Sequence, residues 1–108
     1  MSQTINRQDL QAKIQAGQPL VLLETLPESS YVKGHLPRAV HLPHDRVREL
    51  APKLLPDKSA AVVTYCASAT CQNSHIAAET LSAMGYTDVR VYVGGKQDWT
   101  EAGLDLDV

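Results

Sequence analysis

Apolar positions along the chain fall into two alternating patterns. Leu20 to Leu23, Ala39 to Leu42, Ala60 to Tyr65 and Val89 to Val93 are short runs, apolar almost throughout and bounded by turn residues. Such runs predict strands buried on both faces. Between them apolar residues recur at helical spacing. Leu10 and Ile14 share one face of a first helix, with Asn6 as its N-cap, Asp9 at the third helical position and Ile5 stapled to Leu10; Gly17 stops it. Pro27 to Tyr31 reads as a short helical turn, and Gly34-His35-Leu36-Pro37 as turn chemistry. Asp45 is placed to cap a helix that carries Val47, Leu50 and Leu54, with Pro52 and Pro56 marking its end. The longest helix is expected from Ser74 to Met84, burying Ile76, Ala77, Ala78, Leu81 and Met84, with Gly85 in the C′ place. Gly94-Gly95 then turns the chain into a final helix that carries Trp99 and ends near Gly103. Strands alternating with helices predict an α/β layer fold with a mainly parallel sheet.

Size and charge narrow this picture. The chain has 108 residues, so residues 1–108 are expected to form a single domain. Hydrophobic residues make up 44% and charged residues 20%, as in ordinary globular proteins. A net charge of −2 gives nothing that would recruit nucleic acid or an anionic membrane. The opening Met1-Ser2-Gln3-Thr4 is polar and unlike a signal peptide, and no apolar run is long enough to span a bilayer. The expected location is therefore cytoplasmic, where two cysteines serve chemistry more often than structure; a disulfide framework is excluded by count.

The chemistry is concentrated between Val62 and Ser74. A buried strand ends at Cys66, a loop of small residues follows, and a helix begins. In open parallel sheets ligands bind at the carboxyl ends of strands. A loop curled around the sulfur brings the amides of Ala67, Ser68, Ala69, Thr70, Cys71 and Gln72 towards it, and the next helix points its positive end there. That environment stabilises a thiolate nucleophile, and equally the terminal sulfur of a persulfide. Taken alone, Cys66 reads as a small buried hydrophobe; the strand–cysteine–loop–helix context turns the reading to a nucleophile.

Four segments in order resemble the rhodanese family. Leu20 to Glu24 with Pro27, Glu28 and Tyr31 resembles its first strand and Asp-x-Arg-x-x-x-x-Tyr segment, and Gly34-His35-Leu36-Pro37-Arg38-Ala39 its Gly-His-Ile-Pro-Gly-Ala stretch. Val63-Thr64-Tyr65-Cys66 is similar to the strand that delivers the catalytic cysteine, and Gly85-Tyr86 with Gly94-Gly95 and Trp99 to the Gly-Tyr…Gly-Gly-x-x-x-Trp ending. The resemblance implies a parallel sheet with helices on both faces and a sulfurtransferase that carries sulfane sulfur on Cys66. Its partners would be a small sulfane-sulfur donor and a thiol or protein acceptor. It implies no cofactor, and the chain is expected to act as a monomer. The contrasting reading is a non-catalytic or redox-sensing module that uses a Cys66–Cys71 disulfide, since a fold does not prove a function.

Departures from the family pattern carry their own expectations. Glu24 replaces the usual Asp and Leu26 the usual Arg, which removes an ion pair and predicts local repacking. Arg38 stands where the family has Gly. Cys71 occupies the place of the loop Arg, as in a subgroup with Cys-x4-Cys loops. With no basic residue from Ala67 to Asn73, the dianion chemistry of related phosphatases is disfavoured, and so is thiosulfate as donor unless His75, Arg38 or Lys96 compensates. Cys71 is either a thiol that attacks a Cys66 persulfide and expels hydrosulfide, or an inert loop residue. Cys66, Cys71 and His75, with His41 or His44, have spacing too loose for an ordinary structural zinc site, so no metal is expected. His35 is expected to be structural and Trp99 to belong to the core.

Overall fold

The structure, a computed structural model, describes residues 3–108. Its strands are β1 (Gln3–Ile5), β2 (Val21–Glu24), β3 (Val40–His41), β4 (Ala61–Tyr65) and β5 (Asp88–Tyr92). They form one sheet in the order β1-β5-β4-β2-β3, every pairing parallel. The helices are α1 (Arg7–Gln15), α2 (Glu28–Lys33), α3 (Val47–Leu54), α4 (Asn73–Ala83) and α5 (Gly95–Glu101). Parallel strands need crossovers, and the helices supply them.

Side chains alternate across the sheet, so each central strand feeds two cores. Leu23, Val62, Val89 and Val91 pack with Val47 and Ala51 of α3, Leu55, and Ala77, Ala78 and Leu81 of α4. Leu22, Val63, Tyr65 and Tyr92 face the other way, against Ile5, Leu10 of α1 and Trp99 of α5. This is the α/β architecture expected, with helices on both faces. Strand β4 lies at its centre and delivers Cys66 from its carboxyl end. No helix among the described residues is long and apolar enough to cross a membrane.

Local signals hold closely in α1, where the Asn6 side chain accepts a hydrogen bond from Asp9 N–H at 2.8 Å and Ile5 and Leu10 are both buried. Elsewhere the structure corrects the expectation. Residues Gln3 to Ile5 form an edge strand, pairing Thr4 with Val91. Only Ile5 of the three is buried, too short a pattern to read as a strand. Asp45 does not cap α3, which starts after Arg46 with no side-chain cap, and Pro52 lies inside the helix. Its face is Val47, Ala51 and Leu55, spaced by four, while Leu54 is exposed. The Tyr86 hydroxyl donates to the Leu55 carbonyl at 2.6 Å and lies 3.2 Å from that of Ala51, and so satisfies a carbonyl at the C-terminal end of α3. On α4, Ile76 is exposed, because Ala77, Ala78 and Leu81 hold the buried face.

Candidate active site

Cys66 leaves β4 with its side chain 1% exposed. Its carbonyl accepts Lys96 N–H at 3.0 Å, and the Ala67 carbonyl accepts Gln97 N–H at 2.8 Å. The start of α5 thus grips the backbone of the loop. Gly95 makes this approach possible: its φ is +63°, and a Cβ there would run into the Cys66 carbonyl.

On the other side, Thr64 Oγ1 donates to the Ser74 carbonyl at 2.9 Å, which docks the first turn of α4 under the strand. The buried Ser74 Oγ then lies 3.4 Å from Cys66 Sγ. Since that sulfur carries no proton in the structure, the hydroxyl is the donor. Sequence reading missed Ser74 as a site residue; its only signal was its place at the start of the helix.

The structure joins Cys66 and Cys71 in a disulfide with a Cα–Cα separation of 6.2 Å. Cys71 N–H donates to the Ser68 carbonyl at 3.1 Å, closing a turn, and the Ser68 and Thr70 hydroxyls are 3.1 Å apart. The Cys71 amide is therefore engaged within the loop and does not belong with the amides expected to face the sulfur. Those of Ala67, Ser68, Ala69, Thr70 and Gln72 make no backbone hydrogen bond among the described residues.

The side chains of Lys96 and Arg38, two of the residues that could have compensated for the missing loop cation, lie elsewhere. Lys96 Nζ is 2.9 Å from the carboxylate of the fully buried Glu24 and donates at 2.9 Å to the Ser30 carbonyl. Tyr65 OH donates to the same carboxylate at 2.9 Å and accepts Leu36 N–H at 3.1 Å. Burial, then the Glu24 charge, pushes the Tyr65 phenol far above its ordinary value. Lys96 of α5 thus replaces the cation lost at Leu26, so the repacking draws on a distant segment of the chain and is not local as expected. Arg38, in the left-handed region at φ 66°, lines a cleft with Ile14, Gln18 and Leu20, towards the opposite end of the sheet. His75 stays in the first turn of α4, half-buried.

His35 and Trp99 keep the roles foreseen for them. His35 Nδ1 donates to the Tyr31 carbonyl at 3.0 Å, and its ring stacks on Tyr31 with centroids 3.9 Å apart. His41 Nε2 is 2.6 Å from the Leu26 carbonyl. Trp99 is buried, its indole N–H donating to the Asp105 carbonyl at 3.0 Å.

Known proteins share this fold and sequence pattern. The chain matches the rhodanese-like domain over residues 6–102. It is 37% identical over 73 residues to the thiosulfate sulfurtransferase PspE of Escherichia coli, covering 68% of this chain and 66% of that protein. It is 28% identical over 103 residues to the HTH-type transcriptional regulator Rv0324 of Mycobacterium tuberculosis, covering 95% of this chain and 44% of the regulator. Half or less of the length of several such relatives is spanned, 44%, 50% and 23% in three cases. The human single-domain sulfurtransferase TSTD1 superposes with a TM-score of 0.82 at 18% identity, over 94% of this chain and 97% of that one. With a parallel sheet whose central strand ends at a cysteine and a family match across nearly the whole length, the chain belongs to the rhodanese-like domain family.

Proposed function

We propose that the protein is a sulfurtransferase that takes sulfane sulfur onto Cys66 as a persulfide and passes it to a thiophilic acceptor. The observation that carries this reading is the placement of Cys66 at the carboxyl end of the central strand, buried, with a hydroxyl on its sulfur and a loop of free amides after it. The thiosulfate sulfurtransferase PspE among its relatives supports sulfur transfer in general. In the reduced protein the Cys66 thiolate attacks the outer sulfur of a donor and displaces the donor's remaining group. The amides of Ala67, Ser68, Ala69, Thr70 and Gln72 and the Ser74 hydroxyl stabilise the anionic sulfur that results. A thiol or protein acceptor then removes that sulfur. We place the reaction in the cytoplasm, where thiols are kept reduced.

The loop carries no basic side chain, and Lys96 is committed to Glu24. Donors of low charge, such as polysulfide or a thiol persulfide, suit it better than the thiosulfate dianion. A thiosulfate KM in the low micromolar range would refute that preference.

The test is intact mass after reduced protein meets a sulfane donor. A gain of about 32 Da in Cys71→Ser, absent in Cys66→Ser and discharged by cyanide, is the expected result. The Cys66–Cys71 disulfide favours a second reading, a redox-sensing module. In that case the donor adds nothing to Cys71→Ser, and wild type loses about 2 Da by oxidation without releasing hydrosulfide.

A further inference from the structure

We infer that Cys71 is a second catalytic residue, a resolving thiol that attacks the Cys66 persulfide and releases its outer sulfur as hydrosulfide. The inference rests on the persulfide reading and names the fate of the sulfur within it.

Three observations carry it. First, the two sulfurs meet within the folded domain. The Cα–Cα separation of 6.2 Å lies inside the roughly 4.4–6.8 Å span that a disulfide requires, and the bond is accommodated with β4 and α4 in their places in the fold. The Ser68–Cys71 turn folds the loop back to bring them together. Second, the loop has no cation with which to hold a charged acceptor, and Lys96 is occupied. An acceptor already attached to the loop needs no binding site, because its effective concentration is set by the backbone. Third, the two thiols differ in access. Cys66 is 1% exposed beneath the Ser74 hydroxyl, whereas Cys71 is half-buried.

The step balances within the protein. The Cys71 thiolate attacks Cys66 Sγ, and the Sγ–Sγ bond forms. The bond from Cys66 Sγ to the outer sulfur breaks, and that sulfur leaves with the electron pair as hydrosulfide. The Cys71 sulfur is oxidised and the sulfane sulfur reduced; the proton of the Cys71 thiol passes to solvent or to the departing sulfide. A dithiol reductant then attacks Cys71, the accessible sulfur. Cys66 departs as a thiolate that the Ser74 hydroxyl stabilises, and the dithiol ends as its own disulfide. The net reaction converts a sulfane donor and a dithiol into the desulfurated donor, hydrosulfide and a disulfide. It therefore follows a reaction that produces persulfides and depends on one that regenerates dithiols.

The experiment compares reduced, desalted wild type, Cys71→Ser and Cys66→Ser, each given thiosulfate or glutathione persulfide, which release no hydrosulfide in donating their outer sulfur. Hydrosulfide and intact mass are both read. Wild type is expected to release about one hydrosulfide per chain and end about 2 Da lighter, while Cys71→Ser releases none and ends about 32 Da heavier. Wild type that remains about 32 Da heavier, with Cys71 open to alkylation, overturns this inference and leaves the persulfide reading standing. No addition to Cys71→Ser and no release from wild type overturns both. The direction of reduction is checked on the oxidised protein with limiting glutathione, acid quench and peptide mapping. Glutathione on Cys71 is expected; glutathione on Cys66 overturns the assigned order of attack.

Discussion

At Gly95 the backbone turns left-handed against the Cys66 carbonyl, and the next two amides bind the carbonyls of Cys66 and Ala67. A methyl group there meets both a disfavoured φ and an occupied space. Gly95→Ala is expected to cost about 2–4 kcal/mol and to slow sulfur loading by loosening the loop. Urea unfolding measures the first effect and donor kinetics the second; a cost below about 0.5 kcal/mol would mean that the loop retreats freely. At this scale Cys66 was legible in the sequence, because a buried strand, a cysteine and a small-residue loop are consecutive. Ser74 was not, since its distance to the sulfur depends on how Thr64 docks the first turn of α4.

Three elements are tied together by one buried carboxylate. Glu24 of β2 accepts from Tyr65 of β4 and pairs with Lys96 of α5, whose backbone N–H also holds the Cys66 carbonyl. Removing one partner of a buried pair leaves an uncompensated charge. Lys96→Met is expected to destabilise the fold by about 3 kcal/mol at neutral pH, and Glu24→Gln in the same chain to restore part of that loss. Thermal or urea unfolding of the two single variants and the double variant checks this. Purely additive effects would show that the pair does not bind these elements together. The sequence showed that a cation was missing at Leu26, but the replacement that pairs with Glu24 comes from Lys96, 72 positions beyond Glu24 along the chain. No local pattern signals such a pairing.

Over the whole molecule, the packing of the Tyr65 and Tyr92 phenols into one core makes stability sensitive to alkali. Burial, followed by Glu24 at Tyr65 and by a hydrogen bond to Asp98 at Tyr92, raises both pKa values well above the ordinary 10.0. The unfolded chain releases these protons near the ordinary value while the folded chain retains them. Their contribution is therefore complete below pH 10.0 and is lost as pH rises towards the folded values. Urea midpoints are expected to hold steady from neutral pH to the ordinary tyrosine value and then to fall steeply. Tyr92→Phe should make that fall shallower; an unchanged slope would mean that the phenol ionises freely in the folded state.

By itself the sequence determined the α/β class, the central strand, the capped α1 and the cysteine at the strand end, because each is written in consecutive residues through periodicity, capping and turn chemistry. It carried less about faces and edges. A three-residue edge strand is too short to show alternation, and only packing decided that Leu55 and not Leu54, and Ala77 and not Ile76, would turn inward. Tertiary structure alone decided that Lys96 answers Glu24, that Arg38 lies away from the loop and that Cys66 and Cys71 meet. These are contacts between groups brought together by chain crossovers and loop closure, and their energies depend on distance and burial, which the order of residues does not record.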